Sequence, residues 1–358
     1  MKKVLLAMSG GIDSTVAAMI LLKQGYEIIG ITYRTFDSIS KGCMEKEKGC
    51  CSVDSIFEAK RMAKQLGFEH HIIDFRENFK ECVISNFIQE YLSGRTPNPC
   101  VVCNSEIKWG KLIEIADEYG CDYIATGHYA KVAFAKDRFF LQQGKDKLKD
   151  QTYFLWTLTQ DNLSRTLFPL GDLTKSEVRQ IAFEEGFEKL SKKRESQEIC
   201  FIPNNDYRQF LKEQVPESVD KYADGYFVNS KGERLGRHRG FPNYTIGQRK
   251  GLGIAMGEPM YVIKIIPDEN LVVLGTKEEL QGNTLIAKNI NVSKYDRIPE
   301  GLLARVKIRY RSKGEEAYLY QEDNQIRVVF KQSVNSITPG QSVVFYEGED
   351  LVGGGIIM

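Results

Sequence analysis

The chain has little that would tie it to a membrane or mark it for export. No apolar run approaches the ~20 residues that a membrane helix requires, and Met1-Lys2-Lys3-Val4 runs straight into a strand-like segment, leaving no room for a signal peptide. A cytoplasmic protein with no membrane partner is the expectation. An excess of one charge is also missing, with 49 Lys and Arg against 48 Asp and Glu. Any nucleic acid must therefore be met by local patches rather than by global basicity. No internal repeat or low-complexity tract occurs, which argues against a solenoid or a disordered tail. Two phosphate motifs are absent as well. The glycines near the amino end are not followed by Lys-Ser or Lys-Thr, and they lack the third glycine of GxGxxG.

What is present there is Val4-Leu5-Leu6-Ala7, then Met8-Ser9-Gly10-Gly11-Ile12-Asp13-Ser14, then Thr15 to Leu22. This reads as a buried strand, a glycine turn and a helix, with Ser14 or Asp13 as the expected N-cap. Free helical amides, close-approach glycines and the positive helix end together make an anion site. Ser9 to Ser14 resembles the SGGxDS motif of the PP-loop ATP pyrophosphatases, which cleave ATP between its α- and β-phosphates and transfer AMP to a substrate oxygen.

Length allows two or three domains. Strand-like Glu27–Tyr33, His70–Asp74 and Asp122–Ala125 alternate with helical segments, which predicts a doubly wound parallel sheet. Ligands in such sheets sit beyond the strands' carboxyl ends, so the glycine turn, Tyr33, Gly127 and His128 are expected on one rim. The periodicity predicts helices over 53–66, 79–91 and 105–119, a hairpin turning at Lys136-Asp137, and a capping box from Thr174 to Glu177. Beyond about residue 203 the pattern changes to short strands with Gly and Pro turns, including a hairpin around Pro267 to Asn270. The expected division is 1–205, an α/β domain; 206–282, a small, mainly β domain; and 283–358, a β-barrel.

Eight cysteines in such a protein suggest redox, metal or nucleophilic use rather than a disulfide scaffold. Cys43, Cys50 and Cys51 fall in a polar loop without a fourth zinc ligand at suitable spacing. Gly94 to Asn104 reads as a rigid loop that places Cys103 at a helix start, where the local field favours a reactive thiolate. In the last segment Arg305, Lys307, Arg309, Arg311 and Lys313 alternate with Val306, Ile308 and Tyr310. A single strand would put all the cations on one face, suited to a polyphosphate backbone.

Ser9–Ser14, Thr96-Pro97-Asn98-Pro99 with Cys103-Asn104, Thr126-Gly127-His128-Tyr129, Lys149-Asp150-Gln151, Ser196-Gln197 with Ile199-Cys200-Phe201, and Tyr244 to Arg249 occur in that order. Over nearly its whole length the chain resembles the bacterial tRNA-specific 2-thiouridylases. The resemblance implies an ATP-dependent 2-thiolation of the wobble uridine, U34. ATP with Mg2+ would adenylate the uracil C2 oxygen, and a cysteine persulfide would then displace AMP. Cys200 would carry the persulfide, and Cys103 would release the sulfur, with a Cys103–Cys200 disulfide as one route. Ala7, Met8, Ser9, Gly10, Gly11, Ile12, Asp13, Ser14, Tyr33 and Gly127 would hold ATP. Asn98, Pro99 and Cys100 would meet the target base. His128, Lys149, Asp150, Gln151, Arg309, Tyr310 and Gln341 would touch tRNA. The implied partners are tRNAs for Lys, Glu and Gln, and a cysteine desulfurase or sulfur relay protein. Many members have Asp where this chain has Cys100. That departure opens a second route, a [4Fe–4S] cluster on Cys100, Cys103 and Cys200. Other PP-loop adenylating enzymes, or a non-catalytic nucleotide-regulated RNA-binding protein, are the alternative readings.

Overall fold

The computed structural model describes residues 1–36, 53–192, 199–202, 206–254 and 257–358. Cys43, Cys50 and Cys51 lie outside these residues, as does part of the Ser196–Phe201 motif.

In Lys3–Ala7 (β1), Val4, Leu5 and Leu6 are fully buried. A strand buried on both sides must be central, and successive side chains must serve opposite layers. Val4 and Leu6 face one core, with Val16 and Ala17 of Ile12–Lys23 (α1) and Ala59 and Met62 of Val53–Leu66 (α2). Leu5 faces the other core, with Ile29 and Ile31 of Glu27–Arg34 (β2). Glu69–Asp74 (β3) extends the sheet beside β2. The second layer contains two long helical stretches, each interrupted by a π-helical turn. One runs through Arg76–Phe79 (α3), a π turn Lys80–Ile84 and Ser85–Leu92 (α4). The other runs through Pro99–Val102 (α5), a π-helical segment Cys103–Trp109 and Gly110–Glu118 (α6).

Tyr123–Ala125 (β4) pairs with β1 on its other side. Ala130–Ala135 (β5) and Arg138–Gln143 (β6) form the expected hairpin, with Lys136 and Asp137 both left-handed. Gln160–Ser164 (α7), Thr166–Leu167 (β7), Lys175–Glu184 (α8) and Glu188–Ser191 (α9) complete this part. The sheet order is β3-β2-β1-β4-β7, and every pairing is parallel. The capping box at α8 is present, with Thr174 and Glu177 reciprocally bonded.

Tyr207–Gln214 (α10) and Pro216–Asp220 (α11) lead into a separate sheet. It consists of Gly225–Val228 (β8), Arg234–His238 (β9), Tyr261–Ile266 (β10) and Leu271–Gly275 (β11), ordered β10-β11-β8-β9 around Phe227, Phe241 and Val262. The chain ends in Gln281–Val292 (β12), Leu302–Lys307 (β13), Glu315–Glu322 (β14), Gln325–Asn335 (β15), Ser342–Glu347 (β16) and Asp350–Ile357 (β17). Their order β12-β15-β14-β13-β16-β17 is closed by pairing of β12 with β17, so the antiparallel sheet is a barrel without free edges. The β5–β6 hairpin reaches over to it, with Gln142 paired to Asp350.

The basic strand is shorter than its alternation suggests. β13 stops at Lys307, and Arg309 to Lys313 lie in the turn that follows. Val306 and Ile308 are buried as expected, but Lys307 is buried too. The reason is docking: this flank of the barrel lies against the α/β part. There Arg305 donates to Gln143 (2.8 Å) and the Lys307 ammonium lies 6.0 Å from the Tyr153 ring.

Candidate active site

The turn after β1 is braced from behind. Gly11, not Ser14 or Asp13, is the N-cap of α1, and no side chain caps it. The Ser14 hydroxyl instead donates to Gly11 O (3.1 Å) and accepts from the Ser9 N–H (3.3 Å), while Thr15 Oγ1 also donates to Gly11 O (3.0 Å). The hydroxyls stiffen the turn, and the first amides of α1 are left without a side-chain acceptor, the condition under which a helix start takes an anion. Gly10 adopts φ +66°, and a Cβ there would overlap the Ser55 carbonyl at the start of α2. Gly127, just past β4, is equally constrained: a Cβ would lie 2.9 Å from the Asp13 carbonyl carbon and 3.0 Å from Ser14 N. The two strand ends and the start of α1 therefore form one surface.

Asp13 brings in residues that the motif did not reveal. Lys175 Nζ lies 2.8 Å from both carboxylate oxygens, and Tyr129 donates its hydroxyl to Oδ1 (2.8 Å). Lys175 is the first residue of α8, where a cation opposes the helix dipole. Its side chain is only 10% exposed. That unfavourable position, right after a capping threonine, was the available sequence signal. Both Asp13 oxygens are thus occupied by protein donors. Tyr33 is not a rim ring: it is buried against Phe75, with ring centroids 5.2 Å apart. Its hydroxyl has no partner among the described residues. Burial, and then the nearby Cys103 charge, push its pKa well up.

The helix over the second motif starts earlier than its prolines suggest. Asn98 is the N-cap and Pro99 the first helical residue, so Cys100 lies in the first turn. Cys103 stands a turn later, where it opens the π-helical segment. The helix-start argument for a reactive thiolate therefore applies to Cys100, where it is outweighed. Burial, and then the Cys103 charge, raise the Cys100 thiol to about 11, against a smaller opposite effect of Lys108. The side chain nevertheless has open surface. Open surface with strong desolvation describes a group facing a concavity.

Cys200 is exposed and Cys103 half-buried, and neither is in a disulfide. Their segments share one core. Phe201 packs on Phe79, Phe87 and Phe210 at 5.6, 5.4 and 5.3 Å, within the cluster against which Val102, Cys103 and Ile199 also pack. Among the described residues no three Cys, His, Asp or Glu side chains gather in a way that could hold a metal ion.

The barrel reaches the same loop. Gln341 donates to the carbonyls of Thr96 (3.0 Å) and Pro97 (2.8 Å). Tyr153 donates its hydroxyl to Ser342 O (2.9 Å). Tyr310 lies 4.5 Å from the Phe154 ring, and Arg309 donates to Ser336 O (3.0 Å). The other expected tRNA residues are placed unevenly. Asp150 is enclosed by Gln143, Gly144 and Thr152, and Gln151 accepts from Tyr129 N, so both hold their loop. His128 bonds Thr126 Oγ1 (2.7 Å), and burial lowers its pKa far enough to keep it neutral. Lys149 is partly exposed on the same loop.

An anion-ready turn at the end of a parallel sheet, carried on the same α/β part as a cysteine-bearing loop clasped by a barrel, defines a modular nucleotide-using α/β enzyme. Family models divide the chain the same way. A tRNA methyl transferase HUP domain matches residues 2–204, a tRNA methyl transferase PRC-barrel domain matches 208–276, and an aminomethyltransferase beta-barrel domain matches 282–357. The chain is 51% identical to the tRNA-specific 2-thiouridylase MnmA of Amoebophilus asiaticus, over 99% of this chain and 95% of that protein. It is 50% identical to the protein of the same name from Cytophaga hutchinsonii, over 99% of this chain and 97% of the relative. The chain belongs to the tRNA-specific 2-thiouridylase family. A solved 4-thiouridine synthetase–RNA complex with bound ATP, at 21% identity and a TM-score of 0.37 over 61% of this chain and 51% of that one, is too distant to bear on the site.

Proposed function

We propose that the protein is an ATP-dependent tRNA-uridine 2-sulfurtransferase. The observation that carries this reading is the full-length likeness to named 2-thiouridylases, in a chain that sets a free helix start and two thiol-bearing segments on one α/β scaffold. A uracil C2 is a poor electrophile until its oxygen becomes a good leaving group, so an adenylating turn and a sulfur nucleophile belong together.

The triphosphate of ATP, arriving with its own Mg2+, lies along Ser9 to Ser14. Asp13, already engaged by Lys175 and Tyr129, is not a vacant ligand for that ion. Uracil O2 attacks the α-phosphorus and pyrophosphate leaves. A persulfide on Cys200, loaded by a desulfurase or relay protein, attacks C2 with its terminal sulfur. The C–O bond to AMP breaks as the C–S bond forms. The Cys103 thiolate then attacks the inner sulfur of Cys200. That closes a Cys103–Cys200 disulfide, leaves the outer sulfur on C2, and requires an external dithiol before the next turnover. Cys100, with its raised pKa, contributes a neutral thiol beside the base. Among the described residues Cys100, Cys103 and Cys200 are not gathered into a metal-holding group, which favours the persulfide route.

Asn98 and Pro99 present the base, while Lys149, Arg309 and Tyr310 meet the RNA. Gln341 acts through the Thr96–Pro97 carbonyls. A loop uridine suits such a pocket, since an unpaired base is easily splayed out. The substrates are tRNAs for Lys, Glu and Gln, and the compartment is the cytoplasm. Methyl transfer to the same base is the outcome set against sulfur transfer. Unmodified tRNA is incubated with ATP and a persulfide donor, or with S-adenosylmethionine, and its nucleosides are resolved by mass. 2-Thiouridine with ATP, lost in Cys103→Ser and Cys200→Ser by at least about 100-fold, supports the proposal. A methylated uridine, or full activity in Cys200→Ser, refutes it.

A further inference from the structure

Next to the Thr96–Pro97 loop, a cavity of about 500 Å3 opens where the three parts of the chain meet. We propose that it seats a second nucleotide of the tRNA loop, one flanking the target uridine. This rests on the tRNA-thiolation reading and adds a subsite to it.

The cavity's walls come from α10, from the Tyr244–Lys250 loop, and from the barrel turns around Arg309 and Thr338. Each wall is held. Tyr207 is stacked on Tyr91 with centroids 4.5 Å apart and planes 14° apart, which fixes the α10 face. Arg208 donates to Asn243 O (2.8 Å), tying α10 to the loop, and the Gly247 N–H donates to Val262 O (2.8 Å), tying the loop to its sheet. Arg309 is anchored on Ser336 O. Such pre-set walls keep the ordering cost of binding low.

The lining includes Arg208, Lys250 and Arg309 and not one carboxylate. Arg208 and Arg309 bond only neutral carbonyls through the contacts above, and the Lys250 ammonium has no partner among the described residues. Three clustered positive charges without a counterion call for an anion. The remaining lining is uncharged and includes Tyr207, Ile246 and Thr96, which offer an aromatic edge, an apolar contact and a polar group suited to a base. A cavity of this size matches one nucleotide. Its position decides the source: Thr96 lines it, and Asn98, assigned to the target base, is only two residues further on. Adjacent nucleotides of a splayed loop lie one backbone step apart, so the neighbour's phosphate falls among these cations.

Two measurements test this. The first compares wild type with the Arg208→Ala/Lys250→Ala double variant, both side chains being exposed. The tRNA dissociation constant is measured over a series of KCl concentrations. A single-stranded phosphate contact contributes about 0.7 to the slope of log K against log salt. The double variant should lower that slope by roughly 0.7, the share of one phosphate, and weaken binding at least about tenfold at low salt. An unchanged slope in a protein that still thiolates tRNA overturns the subsite alone. A wild type that neither binds nor thiolates tRNA overturns the reading beneath it. The second measurement uses unmutated protein. Anticodon stem-loops carrying 5-bromouridine at one loop position on either side of the target are irradiated in complex, and the crosslinked peptide is sequenced. Crosslinks to Tyr207 or to residues 244–250 support the proposal; crosslinks from both positions exclusively elsewhere overturn it. Binding of inorganic phosphate lost in the double variant, with the tRNA slope retained, would assign the cavity to a free anion and equally overturn it.

Discussion

Lys175 is the residue whose loss should be felt most directly at the glycine turn. It anchors both oxygens of Asp13 and stands at a helix start where it gains nothing from the dipole. Lys175→Met leaves Asp13 with the Tyr129 hydroxyl alone. Because Asp13 is 33% exposed, the stability loss should be about 1–2 kcal/mol, below the 3–5 of a fully buried broken pair. Pyrophosphate release should fall at least about tenfold while tRNA affinity is unchanged. Equal losses in both would mean that the lysine serves folding alone.

His238 illustrates a residue that acts on stability rather than chemistry. It is buried, accepts from Gly240 N (3.0 Å), and burial lowers its pKa from 6.5 to about 4. In that interval the unfolded chain binds a proton that the folded chain refuses, so stability falls as pH drops from 6.5 toward 4. At about 1.4 kcal/mol per pH unit the loss is on the order of 3 kcal/mol, read as a lower urea midpoint at the acid end. His238→Gln should flatten the dependence. An equally steep fall in the variant would assign the acid sensitivity to other groups.

At the scale of elements, the nucleotide site depends on how closely β4 approaches α1. Gly127→Ala sets a methyl against the Asp13 backbone, an overpacking that typically costs 1–3 kcal/mol. The KM for ATP should rise at least about tenfold with little change in tRNA affinity; an unchanged KM would mean that the strand end yields without disturbing the turn. Elements also show what could be read in advance. The strand, turn and helix at residues 3–23 were legible because fully buried strands and glycine turns have strong local signatures. The capping box at α8 was legible for the same reason. The start of α5 was not, because Pro97-Asn98-Pro99 reads as a loop although Pro99 is a favoured first helical residue. Nor could the π-helical segment at Cys103 be read, since a π turn within a helix has no residue signature of its own. The basic alternation after Arg305 misled because period alone does not say where a strand stops or what docks on it.

At the scale of the whole molecule, the site is composite. The α/β part supplies the glycine turn and both thiol-bearing segments, and the barrel holds the Thr96–Pro97 carbonyls through Gln341. The hairpin β5–β6, the Arg305–Gln143 contact and the Trp156 N–H donated to Ser342 Oγ (3.1 Å) make the two parts one body. Long-range placement of this kind has no local signature, and only the likeness to a family joined Cys103 to Cys200 before the fold was known. The central claim is that the base is activated at its own C2 oxygen on the glycine turn and then loses that oxygen to AMP. Its most direct test uses tRNA whose target uridine carries 18O at C2, with ATP and a persulfide donor. The AMP released should carry the 18O, in step with 2-thiouridine formed. Unlabelled AMP accompanying full thiolation would contradict the claim.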